Sequence, residues 1–336
     1  MTRCKYPLLS ICFFILPLTL AGQDLPALQK TADDWEFTCR NELRIEPGAL
    51  PWIIFYDSVT AWHINPEIAL LPEYKRLASI VRFAGIDYPL FQIFHKEKLW
   101  VPERDPIDVK TRAAAAMPVS DNKKTFFISP VPSFFHTLAP PDQAVFLDLL
   151  LAGLNIHELT HTRQLSFVLP QILDAQKKYK LPESIDDNSI ERTFENNEAY
   201  KALFFKEKTH LWNAAMASNL DSCKSHLKLA LDLVAERQRT FFVNENEGYK
   251  KLDEIFLALE GSAMWAQYKT TRKYAPQGQS PEQTLYFMFQ YLASWSQEEG
   301  LALFLIIDKL VPGWQVQFFS TELPSPFELL KKKVSK

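Results

Sequence analysis

Between Pro141 and Pro170, Phe146, Leu149, Leu150, Gly153, Leu154, His157, His161 and Leu165 recur at three- and four-residue steps. That spacing predicts one helix of about 28 residues, with Pro141 and Asp142 suited to its first turn and Pro170 expected to stop it. Further helical patterns cover roughly 188–219, 222–242, 249–272 and 281–310, with polar turns near 185 and 244 and a loop from Pro276 to Pro281. Before Pro140 the pattern changes. Pro51–Asp57 and Thr125–Pro130 are short β-branched and aromatic runs that read as strands. Between them a helix is expected over 66–83, and 102–121 carries loop signals around an alanine-rich segment. Strands gathered ahead of helices imply an α+β fold. Its N-terminal part (23–138) is proline-rich and strand-containing with a small sheet, and a larger, mainly helical part spans 139–336.

Residues 1–22 are read separately. Arg3 and Lys5 precede an apolar run from Tyr6 to Leu20, and Ala21 and Gly22 follow. This is the layout of a secretory signal peptide, so the protein is expected to be secreted or periplasmic, with no membrane span after cleavage. Two cysteines then remain, Cys39 and Cys223. An oxidising compartment allows one disulfide between them; the alternative is a pair of buried thiols.

Composition narrows the chemistry. The 336 residues carry a net charge of −3, which gives no electrostatic footprint for nucleic acid. Glycine numbers 9, and neither G-x-G-x-x-G nor G-x-x-x-x-G-K occurs, which argues against nucleotide-dependent reactions. No G-x-S-x-G elbow is present.

The long helix contains His157-Glu158-Leu159-Thr160-His161, an H-E-x-x-H. Side chains four apart share one helix face and reach a single metal ion, expected to be Zn²⁺. Glu158 is rotated about 100° from His157, away from the ion but towards a water activated by it. It can then act as general base while that water attacks a carbonyl.

H-E-x-x-H on a helix after a strand resembles the zincin metallopeptidases. Gln164 stands where the metzincin branch would need a further residue of its motif, and no histidine follows it there, so the resemblance is to the gluzincin branch, whose third ligand is a glutamate on a later helix. Glu260-Gly261-Ser262-Ala263-Met264-Trp265 is similar to the E-G-x-A-x-aromatic stretch of peptidase MA-like proteins. The resemblance implies Glu260 as third ligand, with small residues after it that let its helix approach the active-site helix. Glu198, in Asn197-Glu198, is the alternative, although Ala202 replaces the aspartate of N-E-x-x-x-D. Pro51–Asp57, His157–Gln164, Glu260–Ala263 and Ile306–Trp314 together also resemble a group of secreted proteins without a known substrate.

These readings lead to the expectation of a zinc-dependent peptidase acting on peptide or protein substrates. The alternatives are a non-catalytic exported binding or assembly protein on the same scaffold, or a metal hydrolase of another amide or ester. Tyr268, Tyr291 and Arg237 could stabilise an oxyanion, but ordinary helix packing is the simpler reading. Gln164 faces either the metal shell or solvent. His63, His95, His136, His210 and His226 lack partners at helical spacing and are expected to be ordinary surface or hydrogen-bonded histidines.

Overall fold

The apolar run after Pro51 becomes the middle of the sheet. In the computed structural model, which describes residues 21–66, 73–96, 98–99, 107–108, 113–116, 125–137, 144–182, 184–289 and 294–334, β1 (Trp52–Tyr56) is buried on both faces. It pairs antiparallel with β2 (Thr60–Ile64) and parallel with β8 (Phe126–Pro130). Asp57 closes the β1–β2 turn by accepting from the amides of Val59 and Thr60 at 2.8 and 2.6 Å. With β3 (Lys75–Phe83), β4 (Ile86–Phe94) and β7 (Ala114–Ala116) the six-stranded sheet has the order β3-β4-β2-β1-β8-β7. The short strands β5 (Lys98–Leu99) and β6 (Ile107–Asp108) pair separately.

Around and after the sheet lie α1 (Ala21–Phe37), α2 (Pro132–His136), α3 (Ala144–Thr162), α4 (Leu165–Tyr179), α5 (Ser189–Phe194), α6 (Glu198–Met216), α7 (Leu220–Phe241), α8 (Glu247–Tyr274), α9 (Pro281–Phe289), α10 (Trp295–Leu310), α11 (Trp314–Phe318) and α12 (Pro326–Val334). The fold is α+β, with the strands in the N-terminal region and most helices beyond it. Alternation along the strands sorts the core. Ile53, Phe55, Trp62, Ile64 and Phe127 join the helices in one large apolar cluster, while Trp52, Ile54, Tyr56, Phe126 and Ile128 form a smaller one on the other face. The strand-containing and helical parts therefore share a core.

Four expectations are corrected. Residues 75–83 form β3 instead of a helix, because Ala84 and Gly85, at φ 49° and 80°, make a two-residue hairpin turn that pairs them with β4. Residues 21–43, inside the part expected to hold strands, form α1 and a π-helical extension over Thr38–Leu43. Leu28, Ala32, Trp35, Cys39 and Leu43 form its buried stripe. The single long helix is two: α3 ends at Thr162, where the amides of Arg163 and Gln164 bond three residues back instead of four. Pro170 lies inside α4, tolerated because the carbonyl it leaves free belongs to exposed Ser166. Finally, Cys39 and Cys223 are both buried free thiols. They lie among different charged neighbours, Arg163, Arg40 and Glu36 in one case and Lys309 and Lys224 in the other. Residues 1–20 of the expected signal segment, and Pro141 and Asp142, lie outside the described residues. No helix among the described residues is long and apolar enough to cross a membrane.

Two glycine contacts set how closely the central helices approach. A Cβ on Gly153 of α3 would lie 2.8 Å from Thr271 Oγ1 and 3.0 Å from Gln267 Cγ on α8. A Cβ on Gly261 of α8 would lie 2.6 Å from the carbonyl oxygen of Gly300 on α10. The close approach to the H-E-x-x-H helix thus comes from Gly153, and the glycine after Glu260 serves α10 instead. Trp314, following the turn at Gly313, packs edge-on against Trp265 at 5.0 Å and so ties two of the sequence motifs together.

Candidate metal centre

Helix α3 is fixed before it reaches the first histidine. Ser129 of β8 donates to Asn155 Oδ1 at 2.7 Å, and Asn155 Nδ2 donates to Thr31 of α1 at 3.3 Å. Two residues on begins the H-E-x-x-H, from which His157 and His161 project on the same face with their Nε2 atoms 2.9 Å apart. Glu260 enters from α8, its Oε2 3.3 Å from His157 Nε2 and its Oε1 3.3 Å from His161 Nε2. All three side chains are buried.

This donor set fits a zinc ion. Ligand atoms about 2.0–2.2 Å from a tetrahedral Zn²⁺ stand roughly 3.3–3.5 Å from one another. The separations of 2.9–3.3 Å are close to that, and two imidazoles with one carboxylate leave a fourth position open. Burial alone would raise the Glu260 carboxyl, but the charges and hydrogen bonds of His161 and His157 outweigh it and hold it well below the usual range.

Several groups support these three side chains. Gln297, in the first turn of α10, donates to Glu260 Oε2 at 3.2 Å. Gln164 is buried and faces neither metal nor solvent; it donates to Ser262 at 2.9 Å, joining the end of the H-E-x-x-H helix to the helix that carries Glu260. The Nδ1 atoms of His157 and His161 have no hydrogen-bond partner among the described residues.

Glu158 points elsewhere, as its position on the helix requires. Its Oε2 accepts from the backbone amide of Ala115 on the edge strand β7 at 2.8 Å. Burial pushes its carboxyl up to about 7, with His157 opposing the rise and Glu260 adding to it. Glu158 and His157 line a cleft of about 670 Å³ together with Asp187, Gln267 and Gln297. Burial, then the nearby charges of Glu260 and Asp186, push the half-buried Asp187 up to about 6.

The other sequence candidates lie apart from this group. Glu198 opens α6 with its side chain 85% exposed, paired to Lys201. Arg237 is buried against Glu207, and Tyr268 packs half-buried on the core. Tyr291 is outside the described residues. His63 accepts from Trp52 Nε1, His95 contacts the Asp57 carbonyl, His136 pairs with Asp148, and His210 with His226.

Asp187, Gln267, Gln297 and the Ala115 amide were not singled out from the sequence. Gln267 had a usable signal: seven residues beyond Glu260, it shares the same face of α8. The others are set by tertiary approach and had none. Compared with family models, curated proteins and solved structures, the chain matches none of them.

Proposed function

We propose that this protein is an exported, zinc-dependent peptidase of zincin type, with His157, His161 and Glu260 as metal ligands and Glu158 as general base. The observation that carries the reading is the convergence of two imidazole Nε2 atoms and one carboxylate in a buried pocket, with a second carboxylate beside them turned to an open cleft. A bound Zn²⁺ would polarise the substrate carbonyl and lower the pKa of the attacking water. Glu158 would take the proton of the attacking water and return it to the leaving amine, with the Ala115 amide holding one carboxylate oxygen and leaving the other for the transfer. β7, the outermost strand of the six-stranded sheet among the described residues, lies beside Glu158 and favours an extended peptide over other carbonyl substrates, since a strand at a sheet edge recognises main chain. The segment 1–22 supports export.

A second reading, a non-catalytic metal-binding protein on the same scaffold, is favoured by the unpartnered Nδ1 atoms of both histidines, because catalytic sites usually orient their imidazoles from behind.

Metal content and peptide hydrolysis, measured on the same preparations, test the proposal. About one zinc per chain is expected in the protein and in Glu198→Ala and Glu158→Gln, and loss of zinc in His161→Ala and Glu260→Ala. Hydrolysis should vanish in Glu158→Gln while its zinc is retained. Zinc retained without hydrolysis in the unaltered protein would favour the second reading, and folded protein that takes up no zinc would end both.

A further inference from the structure

One wall of the cleft carries carboxylates that the metal centre does not use. Asp187, Glu191 and Glu195 come from the turn before α5, from α5, and from the residue after it. The cation on that wall, Arg192, is held by Asp186 through bonds of 2.7 and 3.1 Å, so this pair cancels itself. Glu191 accepts from the Trp295 amide at 3.0 Å and Asp187 from the side-chain amide of Asn188 at 3.2 Å, and both of these donors are neutral. Among the described residues, the wall therefore faces the cleft with negative charge that no cation balances.

An independent observation points to a ligand in the same place. Gln267 is 0% exposed and borders the cleft, yet among the described residues neither its Oε1 nor its Nε2 has a hydrogen-bond partner. Leaving buried amide atoms unpaired forfeits the hydrogen bonds they made to water, so such a side chain is stabilised by a polar group entering from the cleft. The fold makes room for it deliberately, with Gly153 directly beneath its Cγ.

We propose, resting on the peptidase reading above, that this cleft receives a lysine or arginine side chain of the substrate next to the bond to be cut. Asp187, Glu191 and Glu195 neutralise the cation, and Gln267 hydrogen-bonds polar atoms at the buried end. The free N-terminal ammonium of a peptide offers related chemistry and is separated from it by experiment.

The test uses the zinc-loaded full chain carrying Glu158→Gln, so that binding is read without turnover. Fluorescent N-acetylated peptides identical except for one Lys, Arg, Leu or Glu are titrated by anisotropy, alongside the Leu peptide with a free N-terminus. The Lys and Arg peptides should bind at least about tenfold tighter than Leu, with Glu weakest and the spread narrowing in salt. Asp187→Lys, or Glu195→Lys at an exposed position that tolerates change, should shift the preference from the Lys towards the Glu peptide. Gln267→Leu should weaken the Lys peptide more than the Leu peptide. Equal affinities, no binding, an order unmoved by both charge reversals, or tight binding only of the free-amine peptide would each overturn the proposal. Selective binding together with no hydrolysis by the unaltered protein would instead overturn the peptidase reading and leave the cleft assignment standing.

Discussion

Asp253 and Glu260 lie seven residues apart on one face of α8, and each belongs to a buried cluster of charged groups. Around Asp253 the cluster supplies its own cation. The Arg237 guanidinium is fully buried, donates twice to Glu207 at 2.7 and 2.8 Å and once to the Tyr200 hydroxyl at 2.9 Å, and lies 3.2 Å from Asp253 and 3.6 Å from Glu299. Burial drives the Glu299 carboxyl well above its usual range and pushes Asp253 to about 6, so retained protons balance the charges that Arg237 cannot. Around Glu260 the chain provides no such cation: its ion-pair partners among the described residues are the two imidazoles. A closed cluster with an internal guanidinium is a structural device. A cluster of lone-pair donors beside a cleft is what the proposed zinc site requires, since its cation would come from outside.

Arg237→Ala should separate the two most strongly. It strands three buried carboxyl groups and is expected to cost about 3–5 kcal/mol in denaturant unfolding. Zinc binding at the other centre should remain in whatever fraction stays folded, and an effect below about 1 kcal/mol would contradict the closed-cluster account. Next in size is the response to metal. Zinc added to chelator-treated protein at 100–1,000 times its dissociation constant should raise stability by about 2.7–4.1 kcal/mol. Glu260→Gln should abolish that increment, whereas Glu198→Ala should keep it.

Gln297→Ala removes the hydrogen bond behind Glu260 and should weaken zinc binding by about 10–100-fold in a competition titration. An unchanged affinity would show that α10 does not orient the ligand. The pH response of the closed cluster offers another test. Asp253 keeps its proton in the folded chain up to about pH 6, whereas the unfolded chain releases it near 3.9. Its contribution is therefore full below roughly pH 4 and is lost as pH rises through about 6. The stability difference between the unaltered protein and Asp253→Asn, followed by denaturant unfolding across that window, should fall with rising pH. A difference that stays flat would mean that Asp253 does not carry the proton.

Much of the helical half was legible because its apolar positions recur with helical period; α7 and α8 lie within a few residues of the expected spans. The H-E-x-x-H face was equally plain, since helix geometry alone brings His157 and His161 together. Glu260 could be paired with them only through motif likeness, because a 99-residue separation says nothing about approach. The break at Arg163 and Gln164 was hidden because the apolar pattern runs through it. At that break Gln164 is linked to Ser262, a contact no local pattern encodes. The stripe from Leu28 to Leu43 was readable and overlooked in a region dominated by prolines. Residues 75–83 were misread because Leu77, Ile80, Val81 and Phe83 suit either period, and the hairpin partner decided between them.

The meeting of Gly261 and Gly300 has a kinetic consequence. With backbone against backbone and Phe304 filling the space beside them, α8 and α10 have no slack through which to part. Glu260 and Gln297 thus stand on a wall that cannot swing away. An ion held as proposed would then exchange through the cleft side, past Glu158 and the turn at Asp187, at a rate set by local opening there instead of by the unfolding of the whole chain.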